Sequence, residues 1–285
     1  MELFRIPDGR VLEYLEVGDP AGRPVAFMHG TPGTAGTAVL FDDAARRQHV
    51  RLFALSRPGY GATTTTAPGL VSVGQQLGEL ATGLGIQEFD VLGVSGGGPF
   101  ALAVGSTLAT RVRHVVVAAG PAPYYLIAPE VLEAEDVEAL ELLARGDVKG
   151  AVATLTAAVR QGFDAMCQLP AREFEAAFNE MSPSAYFETR PADRSTFIVD
   201  FHRALGRYDG FVRDNLSWNG PWDFGFDEVA VPVLLYYGGS DSMVAPSHGE
   251  WLAARLPNAE LTLEPQADHG ETCFGRPELL LAALE

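Results

Sequence analysis

The chain has 285 residues, 47% of them hydrophobic and 20% charged, with 20 Lys and Arg against 37 Asp and Glu for a formal net charge of −17. That length allows one large domain, or one domain carrying an insertion, with ample material for a core. The acidic balance repels nucleic acid and anionic membranes and gives no electrostatic help to polyanionic substrates, so neither nucleic acid nor a membrane is expected as a partner.

The two cysteines, Cys167 and Cys273, form no disulfide framework and have no Cys-x-x-Cys or metal-ligand spacing. Free, buried or half-buried thiols in a reducing compartment are expected. The N-terminal stretch MELFRIPDGRVLEYLEVGD has no apolar segment behind a basic start, and no run reaches the ~18 apolar residues of a membrane span. We therefore expect a soluble, cytoplasmic protein.

In chain order, ELFRI and VLEYLEV alternate apolar and polar residues around PDGR and predict a hairpin. The short apolar runs PVAFMHG, RLFALS, FDVLGVS and VRHVVVAAG then suit strands buried on both faces. TAVLFDDAARRQ and VSVGQQLGELATGLG show helical spacing between them. GGPFALAVGSTLA is apolar almost all round and predicts the most buried helix. Alternation of strand and helix implies an α/β sheet, mostly parallel, with right-handed crossovers.

After Pro121 the rhythm becomes helical. APEVLEAEDVEALELLARG puts Val137, Leu140 and Ala144 on one face and stops at Gly146; Asp147 can cap the next helix; Pro170 and Pro191 suit first turns. VPVLLYYGGSD then restores a buried strand, followed by SHGEWLAARL, AELTLEP and RPELLLAALE as helix, strand and helix. The expected organisation is a core of residues 1–120 and 229–285, with an all-helical cap over 121–228. Trp218 and Trp222 are expected to anchor the cap where it rejoins the core. The cap also holds Phe163, Met166, Phe174, Phe178, Phe187, Phe197, Phe201 and Phe211. Most of these are expected to pack helices, and some to line an apolar pocket.

Ser95 stands between a predicted strand and a predicted helix, with Gly93 and Gly97 two residues to either side. Gly-x-Ser-x-Gly at a strand-to-helix turn holds the serine in a strained conformation where flanking positions have no room for a Cβ. The helix behind it offers N–H groups and a positive dipole end to a developing oxyanion.

Here the chain resembles the capped serine hydrolases of the α/β-hydrolase fold superfamily. Besides the elbow GVSGG, FMHGTPG looks like the family's His-Gly-x-Pro-Gly segment. SRPGYGAT looks like Asp-Arg-Pro-Gly-x-Gly-x-Ser, with Ser56 for Asp and Thr63 for Ser. YYGGSDSMVAP looks like the acid-bearing strand end, and EPQADHGET like the histidine segment, with Ala267-Asp268 before His269 where glycine is usual. The resemblance implies a triad of Ser95, Asp241 and His269, in the family's chain order. It also implies an oxyanion hole from the Thr31 N–H, to which the elbow adds the N–H of Gly96.

Each role has a chemical reason. A hydroxyl needs a base to become a nucleophile at neutral pH; imidazole titrates there; a carboxylate fixes its tautomer. Of six histidines, His29 lies in the His-Gly turn, His49 and His114 are expected at solvated edges, His202 in helix packing and His248 at the surface. His269 follows the last strand and is chosen as base. Asp268 rivals Asp241 but adjoins the histidine, so its side chain is expected to point away from the ring nitrogen. Metal and cofactor are not expected: there is no His-x-x-x-His, Cys pair or Walker loop.

The expected function is hydrolysis of a carboxylic ester, lactone or related acyl bond through an acyl-enzyme, on a small acyl substrate that is neutral or apolar. A prolyl aminopeptidase-like activity stays open, although such enzymes usually carry Trp where this chain has Gly96. A lyase or isomerase on the same scaffold stays open too, as does a catalytically silent binding module, because a fold does not fix a function.

Overall fold

The computed structural model describes residues 1–181 and 184–284. The N-terminal hairpin pairs β1 (Glu2–Arg5) with β2 (Val11–Gly18) across a turn in which Gly9 takes φ +92°. Then come β3 (Arg23–Met28), a 3₁₀ turn over Ala35–Phe41 that runs into α1 (Asp42–Arg47), and β4 (Val50–Leu55). Next are α2 (Leu70–Gly83), β5 (Phe89–Val94), α3 (Gly98–Thr107) and β6 (Val112–Ala118).

Seven helices follow among the described residues: α4 (Tyr124–Ile127), α5 (Ala134–Ala144), α6 (Val148–Cys167), α7 (Ala171–Met181), α8 (Ala185–Thr189), α9 (Pro191–Leu205) and α10 (Asp209–Trp218). The chain closes with β7 (Val233–Gly238), α11 (Pro246–Ala253), β8 (Ala259–Glu264), α12 (His269–Phe274) and α13 (Pro277–Ala282).

The eight strands lie in the order β1-β2-β4-β3-β5-β6-β7-β8, with β1 and β2 antiparallel to their neighbours and the rest parallel. This is the mostly parallel α/β sheet predicted from the alternating apolar runs. Period-2 alternation sends successive side chains to two cores. Ala26, Met28 and Val91 pack with α2 and α3; Val25, Phe27 and Leu92 pack with α1, α12 and α13. Every residue of α3 from Gly98 to Gly105 is buried, as its all-round apolarity predicts.

The helices between β6 and β7 form their own small cores and also pack on the sheet layer. In α5 the predicted face is rotated. Val137 is 45% exposed and Ala144 is exposed, while Ala139, Leu142 and Leu143 meet α6 and α10. Two partner helices, not one, set the inward direction there. Gly146 ends α5 at φ +81°, Asp147 caps α6 through the Gly150 N–H at 2.8 Å, and Pro191 opens α9. Trp218 and Trp222 are partly buried against the main core. No helix among the described residues is long and apolar enough to cross a membrane.

Candidate active site

The C-terminal ends of β3, β5, β7 and β8 converge on one edge of the sheet, where α/β folds bind ligands. At the end of β5 the chain turns sharply, and Ser95 takes φ +49°. A Cβ on Gly93 would lie 2.7 Å from the Ala101 Cβ. One on Gly97 would overlap the Met28 carbonyl and lie 2.6 Å from the His29 oxygen. Both glycines are therefore required by close packing of β3, β5 and α3, and together they raise Ser95 into the crevice.

His269, at the first position of α12, is placed between two partners. Its Nε2 is 2.9 Å from Ser95 Oγ, and its Nδ1 is 2.7 Å from Asp241 Oδ2. Asp241 is buried, and its other oxygen accepts the N–H groups of Met243 (2.8 Å) and Val244 (2.9 Å). The carboxylate is thus fixed against the histidine, and Nδ1 is the protonated nitrogen that leaves Nε2 to accept from serine. Burial of His269 opposes the imidazolium, but the Cys273 sulfur and the Asp241 carboxylate prevail and raise its pKa above 6.5. Cys273, one turn along α12, brings Sγ to 3.8 Å from Nε2.

Asp268 does something else. It accepts the Glu271 N–H at 2.8 Å as the N-cap of α12, and Ser184 Oγ donates to it at 3.2 Å. Its position next to His269 serves the helix start that presents the ring.

The loop after β3 runs beside the elbow. Thr31 N would be 3.1 Å from a Cβ on Gly96, and a Cβ on Gly30 would be 3.4 Å from the Ser95 Cβ. The Thr31–Pro32 peptide is cis. Beneath this loop lies Arg57, fully buried. It bonds the carbonyls of His29 and Gly30 and the Thr31 hydroxyl, and pairs with Asp214 of α10 at 2.6 Å. His29 donates from Nδ1 to the Gly30 carbonyl at 2.7 Å and accepts the Arg57 N–H on Nε2 at 3.1 Å. Burial, aided by the Arg57 charge, holds this ring well below its usual pKa, so it acts as a neutral brace.

The two departures from the usual loop pattern keep their hydrogen bonds. Ser56 donates to the buried Glu13 at 2.8 Å and accepts the Ala35 N–H, while Thr63 donates to the Ser56 carbonyl at 2.7 Å.

A cavity of about 210 Å³ opens onto Ser95, Thr31 and His269. The helices between β6 and β7 contribute Phe163, Phe178, Phe187, Phe197, Phe201 and Phe211, α12 contributes Phe274, and Met243 joins them. Among the described residues no Asp, Glu, Lys or Arg lines it. Phe174 packs instead against Phe201 and His202, and Met166 within the helices. A larger crevice of about 360 Å³, lined by Arg190, Glu271 and Arg276, lies beside α12 and includes neither Ser95 nor His269.

The other histidines divide differently from expectation. His49 is exposed and pairs with Asp19, and His202 lies edge-on to Phe174. His114 is half-buried against Asp90 rather than solvated. His248 is buried, not superficial: its Nδ1 accepts the Ala122 N–H at 3.0 Å and Tyr124 packs on it. The first turn of α11 faces inward there, so a polar residue after Pro246 is turned into the core.

The sequence reading assigns no role to Arg57, although it stands within SRPGYGAT, nor to Asp214, Glu13 or Asp200. Asp200 has a readable signal, since it lies between Phe197 and Phe201 at the i, i+3, i+4 spacing of a buried helix face. Among the described residues no group of three His, Cys, Asp or Glu side chains is arranged to hold a metal ion.

Comparison with known proteins identifies the fold. The family model described as alpha/beta hydrolase fold matches residues 23–270. No curated protein matches the sequence. Among solved structures, an enol-lactonase from Burkholderia xenovorans is similar at a TM-score of 0.67 and 15% identity, over 99% of this chain and 98% of that one. An esterase from Exiguobacterium antarcticum aligns at 0.67 and 16% identity, covering 99% and 98%. A bromoperoxidase from Bacillus anthracis aligns at 0.69 and 20% identity, also covering 99% and 98%. With the model match spanning most of the chain, the protein belongs to the alpha/beta hydrolase fold family.

Proposed function

We propose that the protein is a serine hydrolase that cleaves small, neutral or apolar carboxylic esters or lactones through an acyl-enzyme. The observation that carries this is the continuous relay Asp241–His269–Ser95 at the mouth of a phenylalanine-walled cavity. As Ser95 Oγ attacks the carbonyl carbon, His269 Nε2 takes its proton and Asp241 stabilises the imidazolium. The carbonyl oxygen becomes an oxyanion beside the Gly96 and Thr31 N–H groups. Collapse breaks the ester bond, and the alcohol leaves with the proton from Nε2. Water then repeats the sequence on the acyl-serine and releases the acid.

The apolar lining favours an acyl group without charge, because an anion or ammonium there would lose its hydration with no partner. That also disfavours the aminopeptidase reading, since among the described residues no carboxylate lines the cavity to receive a peptide's amino group. A fluorophosphonate probe should label Ser95, and Ser95→Ala should lose on the order of 10⁴-fold or more in kcat on p-nitrophenyl butyrate while staying folded. Near-wild-type turnover by Ser95→Ala would refute the proposal. So would a substrate panel that ranks an anionic ester first.

A further inference from the structure

Asp214 and Arg57 form a buried ion pair that ends on the Thr31 hydroxyl. Thr31 Oγ1 donates to Asp214 Oδ2 at 2.7 Å and accepts from Arg57 Nη2 at 2.9 Å. Arg57 is fully buried and Asp214 nearly so; Arg57 Nε reaches Asp214 Oδ1 at 3.0 Å, and Tyr60 OH donates to Oδ2 at 2.9 Å. Both capacities of the hydroxyl are thereby used, which leaves the Thr31 side chain one orientation. Among the described residues nothing accepts the Thr31 N–H, and that nitrogen lies against Gly96 beside the nucleophile.

Asp214 belongs to α10, 183 residues from Thr31 in sequence. The helix comes this close because Gly210, one turn earlier, lies flat on the Tyr60 ring, where a Cβ would be 2.5 Å from Cγ. Gly96 completes the fit, since a Cβ on it would overlap the Thr31 hydroxyl in its pinned position.

We infer that Asp214 is a positioning residue: through the Thr31 hydroxyl it aims the Thr31 N–H at the oxyanion, so the helices between β6 and β7 help to build the hydrolytic site as well as to wall its cavity. This rests on the acyl-enzyme reading above. A preorganised N–H acts on the transition state more than on bound substrate. Loss of its aim therefore lowers kcat and leaves KM nearly unchanged.

The test compares Thr31→Val, Thr31→Ser and Asp214→Asn on p-nitrophenyl butyrate, with fluorophosphonate labelling rates and melting curves. Thr31→Val keeps the shape and removes only the hydroxyl. It should lose about tenfold or more in kcat and in labelling rate, below the ~10²–10³-fold of deleting an oxyanion donor, with KM within about threefold. Thr31→Ser restores the hydroxyl and should recover most of that loss. Asp214→Asn, if folded, should add little in the Thr31→Val background, because both act through one hydrogen bond. Should Asp214→Asn not fold, the valine–serine pair decides alone. Unchanged kcat in Thr31→Val, or equal losses in Val and Ser, overturns the positioning role while wild-type labelling leaves the acyl-enzyme reading standing. Wild-type protein that neither labels nor turns over overturns both.

Discussion

Asp200 of α9 holds Thr34 at both its ends, accepting the backbone N–H at 2.8 Å and the hydroxyl through its other oxygen, and it takes the Thr37 hydroxyl at 2.8 Å as well. All three side chains are buried. A buried carboxylate of a distant helix thus fastens the first turn after the His29–Gly33 loop, and Arg203, one turn along α9, pairs with the buried Glu13.

Asp200→Ala should therefore destabilise the protein by about 2–4 kcal/mol, since the donors facing a charged acceptor are left unpaired in the core. Asp200→Asn keeps an acceptor oxygen and should lose less. Urea unfolding measures both; an Asp200→Ala variant within about 1 kcal/mol of wild type by that measure would count against the clamp.

The acid of the relay can be separated from its neighbour in sequence. Asp241→Asn should keep the fold but favour the wrong imidazole tautomer, lowering kcat by roughly 10⁴-fold. Asp268→Asn retains a capping side chain and should lose no more than about tenfold. The two kcat values on one activated ester, after circular dichroism, decide it. The reverse ranking would mean a rearranged triad.

The pH dependence follows from the raised pKa of His269. The ring must be neutral to take the serine proton, so kcat/KM should climb with pH with its midpoint above 6.5. Asp241→Asn removes a carboxylate that favours the charged ring and should move that limb downward. For stability the sign reverses: the raised folded-state value adds stability that is full below pH 6.5 and fades as pH rises through the folded-state pKa. A wild-type midpoint at or below 6.5 would contradict the raised pKa of His269, and a kcat/KM with no such limb would contradict its assignment as base.

Gly96 tests the fit between elbow and loop. In Gly96→Ala the new methyl meets Thr31, which Asp214 and Arg57 prevent from turning away. Overpacking of this kind costs about 1–3 kcal/mol, and the displaced Thr31 N–H should lower kcat by roughly tenfold or more, toward the ~10²–10³-fold of a lost oxyanion donor. Steady-state kinetics and a melting curve on one preparation check both parts. An alanine variant with wild-type kcat would show that the loop yields freely.

What depends on neighbours along the chain is legible in the amino-acid order alone. Apolar runs of five or six residues specify buried strands, the glycines around Ser95 specify a turn no other residue permits, and Gly146 and Asp147 mark a helix end and the next helix start. The resemblance points to Ser95, Asp241 and His269, which the structure brings within hydrogen-bonding distance of one another. Pairings between distant positions emerge only once the chain is folded. Nothing local distinguishes Asp214 from the many other acids on these helices, and the spacing around Asp200 marks a buried face without naming its partner, because Arg57, Thr31 and Thr34 lie more than 150 residues from the acids they meet. The same holds for the phenylalanines. A helix with two apolar flanks presents both alike in sequence, and only packing shows that Phe178 and Phe197 face the cavity while Phe174 packs between helices. His248 and Val137 differ from expectation for this reason too: burial is set by what lies against a helix, and that is a property of the whole chain.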